Sequence, residues 1–168
     1  PKDMLAIQLE DKALYLERWR TLLLDTLALS STGPRAEFRQ LVETTWSGRA
    51  SPDSVAYRLV RQFRTTFVRD VMTTLTAPAA ADDPAFDYTR TLRGEGPVWQ
   101  LVTERPAHLL DPKYKFWDEW MLSAVDRAIA DLTAGGRRLA DSTWGEANRA
   151  QFQHPLASAN PFFGRYMN

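Results

Sequence analysis

The sequence predicts a mainly α fold: several long amphipathic helices packed as one domain, followed by about thirty extended or loop residues with at most short strands. Three observations lead there. Apolar residues recur at helical spacing over long stretches, as at Leu16, Trp19, Leu23 and Leu27. Gly and Pro fall between those stretches rather than within most of them. The periodicity then fades after Gly135-Gly136.

Taken in order, Lys2 to Leu29 reads as one long helix with the stripe Leu5, Leu9, Leu16, Trp19, Leu23, Leu27. Ile7, Leu14, Leu22, Leu24 and Leu29 lie off that stripe, so cover on a second side is expected. Gly33-Pro34 ends it, because glycine takes the left-handed backbone that closes helices and proline cannot continue one. Pro34 to Thr45 is a second helix, closed by the Trp46-Ser47-Gly48 turn. A third begins with Ser51 as N-cap, Pro52 in the first helical position and Asp53 against the dipole. Its stripe runs from Ala56 to Leu75, with Arg58, Arg61, Arg64 and Arg69 on another side as a solvated face.

Residues 76–84 (TAPAAADDP) read as a loop, and Phe86 to Arg93 gives no clear signal. A short helix starts at Gly96-Pro97 and ends before Pro106, and Ala107 to Asp111 adds a turn. Lys113 to Ala134 is a long amphipathic helix lined by Trp117, Met121, Ala124, Val125, Ala128 and Leu132. Residues 1–136 thus form the helical domain, and 137–168 an extended docking segment of it.

Bulk properties exclude several functions. The chain has 168 residues, enough for one domain with a real core. Lys+Arg and Asp+Glu are both 21, so no overall field favours nucleic acid or an anionic membrane, and neither partner is expected. Without cysteine there is no disulfide and no thiolate chemistry. No apolar run approaches the roughly 20 residues of a membrane span. The opening at Pro1, without Met, and the stop after an aromatic cluster lead to the expectation of an internal piece of a longer chain.

The residue patterns of the common catalytic and metal-binding classes are missing from the sequence. There is no GxSxG and no HExxH. Gly94-Glu95-Gly96 lacks the third glycine and preceding strand of a phosphate loop. Of two histidines, neither His108 nor His154 has a metal-ligand partner at useful spacing. Asp82-Asp83 and Asp118-Glu119 are adjacent, so their carboxylates diverge on a helix. An N-terminal proline can act as a base, but Pro1 leads into Lys-Asp-Met and a helix, which favours a segment boundary. No catalytic, cofactor-binding or metal residue is assigned. The residues singled out are structural: Trp46 and Gly48, Ser51, Trp144 as a packing anchor, Gly145 as a turn or close approach, and His154-Pro155 as an extended segment, since a residue before proline is biased away from the helical region.

Three stretches carry a resemblance: QLEDKALYLERWRTLLL from Gln8 to Leu24, RQLVETTWSGRASPDSVAYRLV from Arg39 to Val60, and Trp144-Gly145 followed by His154-Pro155-Leu156. Together they resemble, in the same order, an internal part of the large subunit of the penicillin acylase (penicillin amidase) family of N-terminal nucleophile hydrolases. The resemblance implies amide hydrolysis. An exposed N-terminal Ser attacks, its own α-amine acts as base, and backbone N–H groups with an Asn form the oxyanion hole. The nucleophile and that Asn fall outside this chain; Asn148 and Asn160 sit in the wrong context to replace the latter. Calcium ligands and the acyl pocket also fall mainly outside, so no cofactor is expected in this chain. It would be the helical scaffold of the enzyme, inactive alone, periplasmic or secreted, with the rest of the parent as partner and self-association through the apolar surface left bare. The alternative is an independent helical protein–protein interaction module, supported by the amphipathic helices and six tryptophans.

Overall fold

The computed structural model describes residues 2–83, 85–86 and 94–149. Among these residues the fold is helical and contains no strand. The helices are α1 (Lys2–Gln8), α2 (Leu14–Ala28), α3 (Pro34–Thr44), α4 (Val55–Asp82), α5 (Glu95–Glu104), α6 (Trp117–Thr133) and α7 (Trp144–Ala147). Short 3-10 turns lie at Ala107–Leu109, Ala134–Gly136 and Leu139–Asp141.

The longest helix, α4, is the hub, with α2, α3, α5, α6 and α7 all packed against it. Its buried face repeats every three or four residues: Leu59, Val60, Phe63, Phe67, Val71. Aromatic rings link the layers. Trp19 meets Phe63 edge-on at 6.3 Å, Phe63 stacks on Phe67 at 6.1 Å, and Phe67 meets Trp120 edge-on at 5.6 Å. Such pairs add about 0.5–1.5 kcal/mol each beyond their area burial. The predicted stripes therefore reach the core as Leu16, Trp19, Leu23 and Leu27 on α2 and as Trp117, Met121, Ala124, Val125, Ala128 and Leu132 on α6.

Several boundaries differ from the sequence expectation. The first helix is two. Around Asp11 to Ala13 the backbone pairs across the chain instead of along it: Ala50 N–H donates to Asp11 O at 2.8 Å, and Ala13 N–H to Gly48 O at 2.7 Å. Leu5 and Leu9 consequently leave the stripe and are exposed. The third helix is capped by Ser54, not Ser51: the Ser54 hydroxyl accepts the Tyr57 N–H at 3.2 Å, while Ser51 O closes a turn with Ser54 N–H. Its far end runs through the expected loop to Asp82, with Pro78 inside. Proline forfeits one intrahelical bond, and Ala77 with Ala79 to Ala81 supplies the strongest helix formers around it.

The last long helix starts at Trp117 rather than Lys113. Phe116 is extended (φ −144°, ψ 154°), and the Glu119 carboxylate reaches back to accept the Lys115 N–H at 2.8 Å. Gly135 and Gly136, at φ 73° and 79°, adopt the left-handed backbone and stop it as expected. Between Arg137 and Arg149 the chain makes a 3-10 turn and α7 rather than an extended run. Thr143 and Glu146 frame α7: the Thr143 hydroxyl accepts the Glu146 N–H at 3.3 Å. The rest of the expected docking segment, His154 and Pro155 included, lies outside the described residues.

Candidate functional site

Two polar junctions stand out, and the first gathers most of the residues singled out in the sequence. The loop from Trp46 to Ser54 is the receiving surface. Gly48 takes φ +70°, which turns its carbonyl toward the Ala13 N–H. The Trp46 indole N–H donates to Glu17 at 2.9 Å, and the Arg20 guanidinium lies over its ring at 5.7 Å. Onto the same loop comes α7. Trp144 N–H donates to Ser54 O at 3.0 Å, and Gly145 N–H to Pro52 O at 2.6 Å.

Gly145 has a steric reason. A Cβ there would stand 2.8 Å from Pro52 O and 3.0 Å from Pro52 Cβ. The Trp144 ring meets Tyr57 edge-on at 5.0 Å, under the Arg61 guanidinium at 4.8 Å. Trp46, Gly48, Ser51, Trp144 and Gly145 thus belong to one neighbourhood, with Ser51 contributing backbone rather than a cap.

The second junction was not read from the sequence. Glu95, the first residue of α5, receives four N–H donors from two other helices, with the Tyr15 hydroxyl beside it. They are Trp19 Nε1 at 2.5 Å, Arg64 Nε at 2.8 Å, Arg64 Nη2 at 2.5 Å and Arg18 Nη2 at 3.3 Å. The Tyr15 hydroxyl accepts from Arg64 Nε at 3.1 Å, and the Arg18 guanidinium lies 4.4 Å from the Trp99 ring centre. Burial alone would push the Glu95 carboxyl up. The hydrogen bonds from Arg64, Tyr15 and Trp19 and the Arg64 charge outweigh it and hold the group below the usual carboxylate range. Burial, then hydrogen bonding to Glu95, pushes the Tyr15 phenol up. Arg64 stays firmly protonated: the pairing with Glu95 and Tyr15 outweighs its own desolvation. Arg64 is therefore not part of a solvated face, and neither is Arg61, which lies over the Trp144 ring and is half-buried. The signal that could have found this junction is weak: an acidic residue opening a helix in a glycine-rich turn.

Chemically, this arrangement orders side chains rather than moving protons. A carboxylate held ionised and saturated with donors is neither a general acid at neutral pH nor a free base. Asp70 with Arg127 and Asp126 with Arg35 repeat the pattern between helices. Arg127 itself is pulled down, first by burial and then by Arg69. Asp111 is buried, accepts from the Thr74 hydroxyl at 3.0 Å and the Lys113 N–H at 2.9 Å, and so shapes the turn before α6. His108 is exposed on the 3-10 turn at Ala107–Leu109. Among the described residues no three His, Asp or Glu side chains group as metal ligands, and no helix is long and apolar enough to cross a membrane.

The model of the penicillin amidase family matches residues 1–167. The chain belongs to the penicillin amidase family. A curated relative, the penicillin acylase 2 proenzyme of Pseudomonas sp. (strain SE83), is 28% identical over 149 residues, covering 86% of this chain and 18% of that relative. The chain therefore spans about a fifth of the length of the relative it matches. No solved structure matches it. Both junctions fall inside the family match, as do all three stretches that carried the resemblance.

Proposed function

We propose that this chain is the helical scaffold of a penicillin-acylase-like amidohydrolase. In this reading the full-length protein hydrolyses a linear amide C–N bond through an N-terminal Ser located outside the chain. The observation that carries the reading is the family match over residues 1–167, combined with the small share of the relative's length that the chain spans. The character of the helical body supports it. Its carboxylates are engaged by arginines and backbone donors, as at Glu95, Asp111 and Asp126. These groups brace helices against one another. A period-3.6 core with an aromatic spine supplies a rigid base on which a catalytic constellation can be held to fractions of an ångström.

The chain's own part is support, with no cofactor of its own. Calcium ligands, where the parent has them, lie in its other segments. The working location is periplasmic or secreted, and the rest of the parent is the partner. The test is acid release from penicillins and simple acyl amides, measured for the full-length polypeptide and for the 168-residue chain side by side. Turnover by the full-length protein and none by the chain is expected. Turnover by the chain alone, or an inert full-length protein, overturns the reading.

A further inference from the structure

We infer that α1 is a seat for another part of the same full-length polypeptide; the inference rests on the proposed reading that this chain is one portion of a larger amidase. Helix α1 buries none of its residues. Yet it and the turn after it carry Met4, Leu5, Ile7 and Leu9 at 62%, 54%, 70% and 70% exposure, and Leu14 at the start of α2 is 79% exposed. The large apolar side chains of this arm therefore face water, whereas α2, α3, α4, α5 and α6 each bury an apolar stripe. Four large apolar side chains exposed within six residues are more than the scattered single ones of ordinary surface, and such clusters mark interaction sites.

The helix is also too short to persist by itself. Seven residues make two turns, and isolated helices below about 12 residues are marginal in water. What holds α1 to the body is its far junction: Ala50 N–H to Asp11 O, the Asp11–Arg49 ion pair, and Ala13 N–H to Gly48 O. These bonds fix where the arm leaves the body without covering its sides. The occupant is an apolar face of the remaining polypeptide, since more than four-fifths of the matched relative's length lies beyond the part this chain spans.

Hydrogen exchange tests this. Amides of residues 3–9 are compared in the dilute 168-residue chain and in the full-length polypeptide. Exchange at least tenfold slower in the full-length protein is expected. The paired substitution Leu5→Asp with Ile7→Asp should lower the melting temperature of the full-length protein and abolish that protection. It should leave the urea midpoint of the isolated chain unchanged. Leu29→Asp, also at an exposed leucine but on the end of α2, is the control and should do neither. Equal exchange in the two proteins overturns the inference. So does protection already present in the isolated chain: if independent of concentration, the chain itself covers the arm, and if it grows with concentration, a second copy does. Amide turnover is followed on the same full-length sample. Protection without turnover leaves the docking seat standing and sinks the amidase reading; turnover without protection does the reverse.

Discussion

The indole N–H of Trp19, in the middle of α2, donates to the carboxylate of Glu95, the first residue of α5, at 2.5 Å. Trp19 is fully buried, so its one polar atom needs a partner, and Glu95 supplies it. The same carboxylate anchors Arg64 of α4 and Arg18 of α2. One side chain thus ties three helices together at the edge of the aromatic spine, and α5 enters the core through Val98 and Val102 from that anchored end.

Glu95→Gln is expected to destabilise the chain by about 1.5–3 kcal/mol, the range for hydrogen bonds to a charged group. The amide keeps an acceptor for Trp19 but leaves the partly buried Arg64 without its counter-charge. Urea unfolding followed by tryptophan fluorescence should show a lower midpoint at unchanged slope. Glu104→Gln, at the exposed end of the same helix, should stay within about 0.5 kcal/mol.

The pH dependence has a definite sign. The folded-state carboxyl of Glu95 lies below its ordinary value, so the unfolded chain binds the proton more readily. The contribution of Glu95 is complete above the unfolded value of about 4.3 and is lost as pH falls through the lower folded value. Unfolding midpoints measured from pH 7 down to pH 3 should therefore fall more steeply for the native chain than for Glu95→Gln. Parallel curves for the two proteins would contradict this.

The helical class and the core were legible because burial on a helix imposes its own period, and α2 and α6 carry it plainly. The junctions were not. Glu95 and Trp19 are 76 positions apart, and no local spacing reports a hydrogen bond across that separation. The break before α2 was hidden for the same reason, because its backbone partners lie at Gly48 and Ala50. Pro78 looked like a loop because proline usually ends a helix, and here α4 continues past it among alanines. The sequence offered a turn or a close approach for Gly145, and nothing in it pointed to Pro52 as the neighbour.

Gly145→Ala should loosen α7 from the Trp46–Ser54 loop. The new methyl would meet the Pro52 carbonyl oxygen at 2.8 Å, and that oxygen is already the acceptor for Gly145 N–H. Overpacking against backbone costs about 1–3 kcal/mol. The cost should be felt locally, as faster exchange of the Trp144 and Gly145 amides and a fluorescence change at Trp144 as it leaves Tyr57 and Arg61. Unchanged exchange would mean that the loop yields and that the close approach is not what holds α7.

Ser51 and Ser54 offer a direct comparison, because each precedes helical pattern and only one caps it. The Ser54 side chain is buried and accepts the Tyr57 N–H, one of the four donors left orphaned at the start of α4. Removing that hydroxyl leaves the donor unpaired in a place water does not reach, so Ser54→Ala should cost about 1 kcal/mol, within the range for N-caps. Ser51 contributes its carbonyl to the turn, which alanine supplies equally well, so Ser51→Ala should stay within about 0.5 kcal/mol. Thermal unfolding of the two variants decides between them. If Ser51→Ala is the more costly, the helix begins at Pro52 in solution. The Pro52 and Ser54 carbonyls that receive Gly145 and Trp144 would then be turned along α4, and the α7 contact would have to be drawn differently.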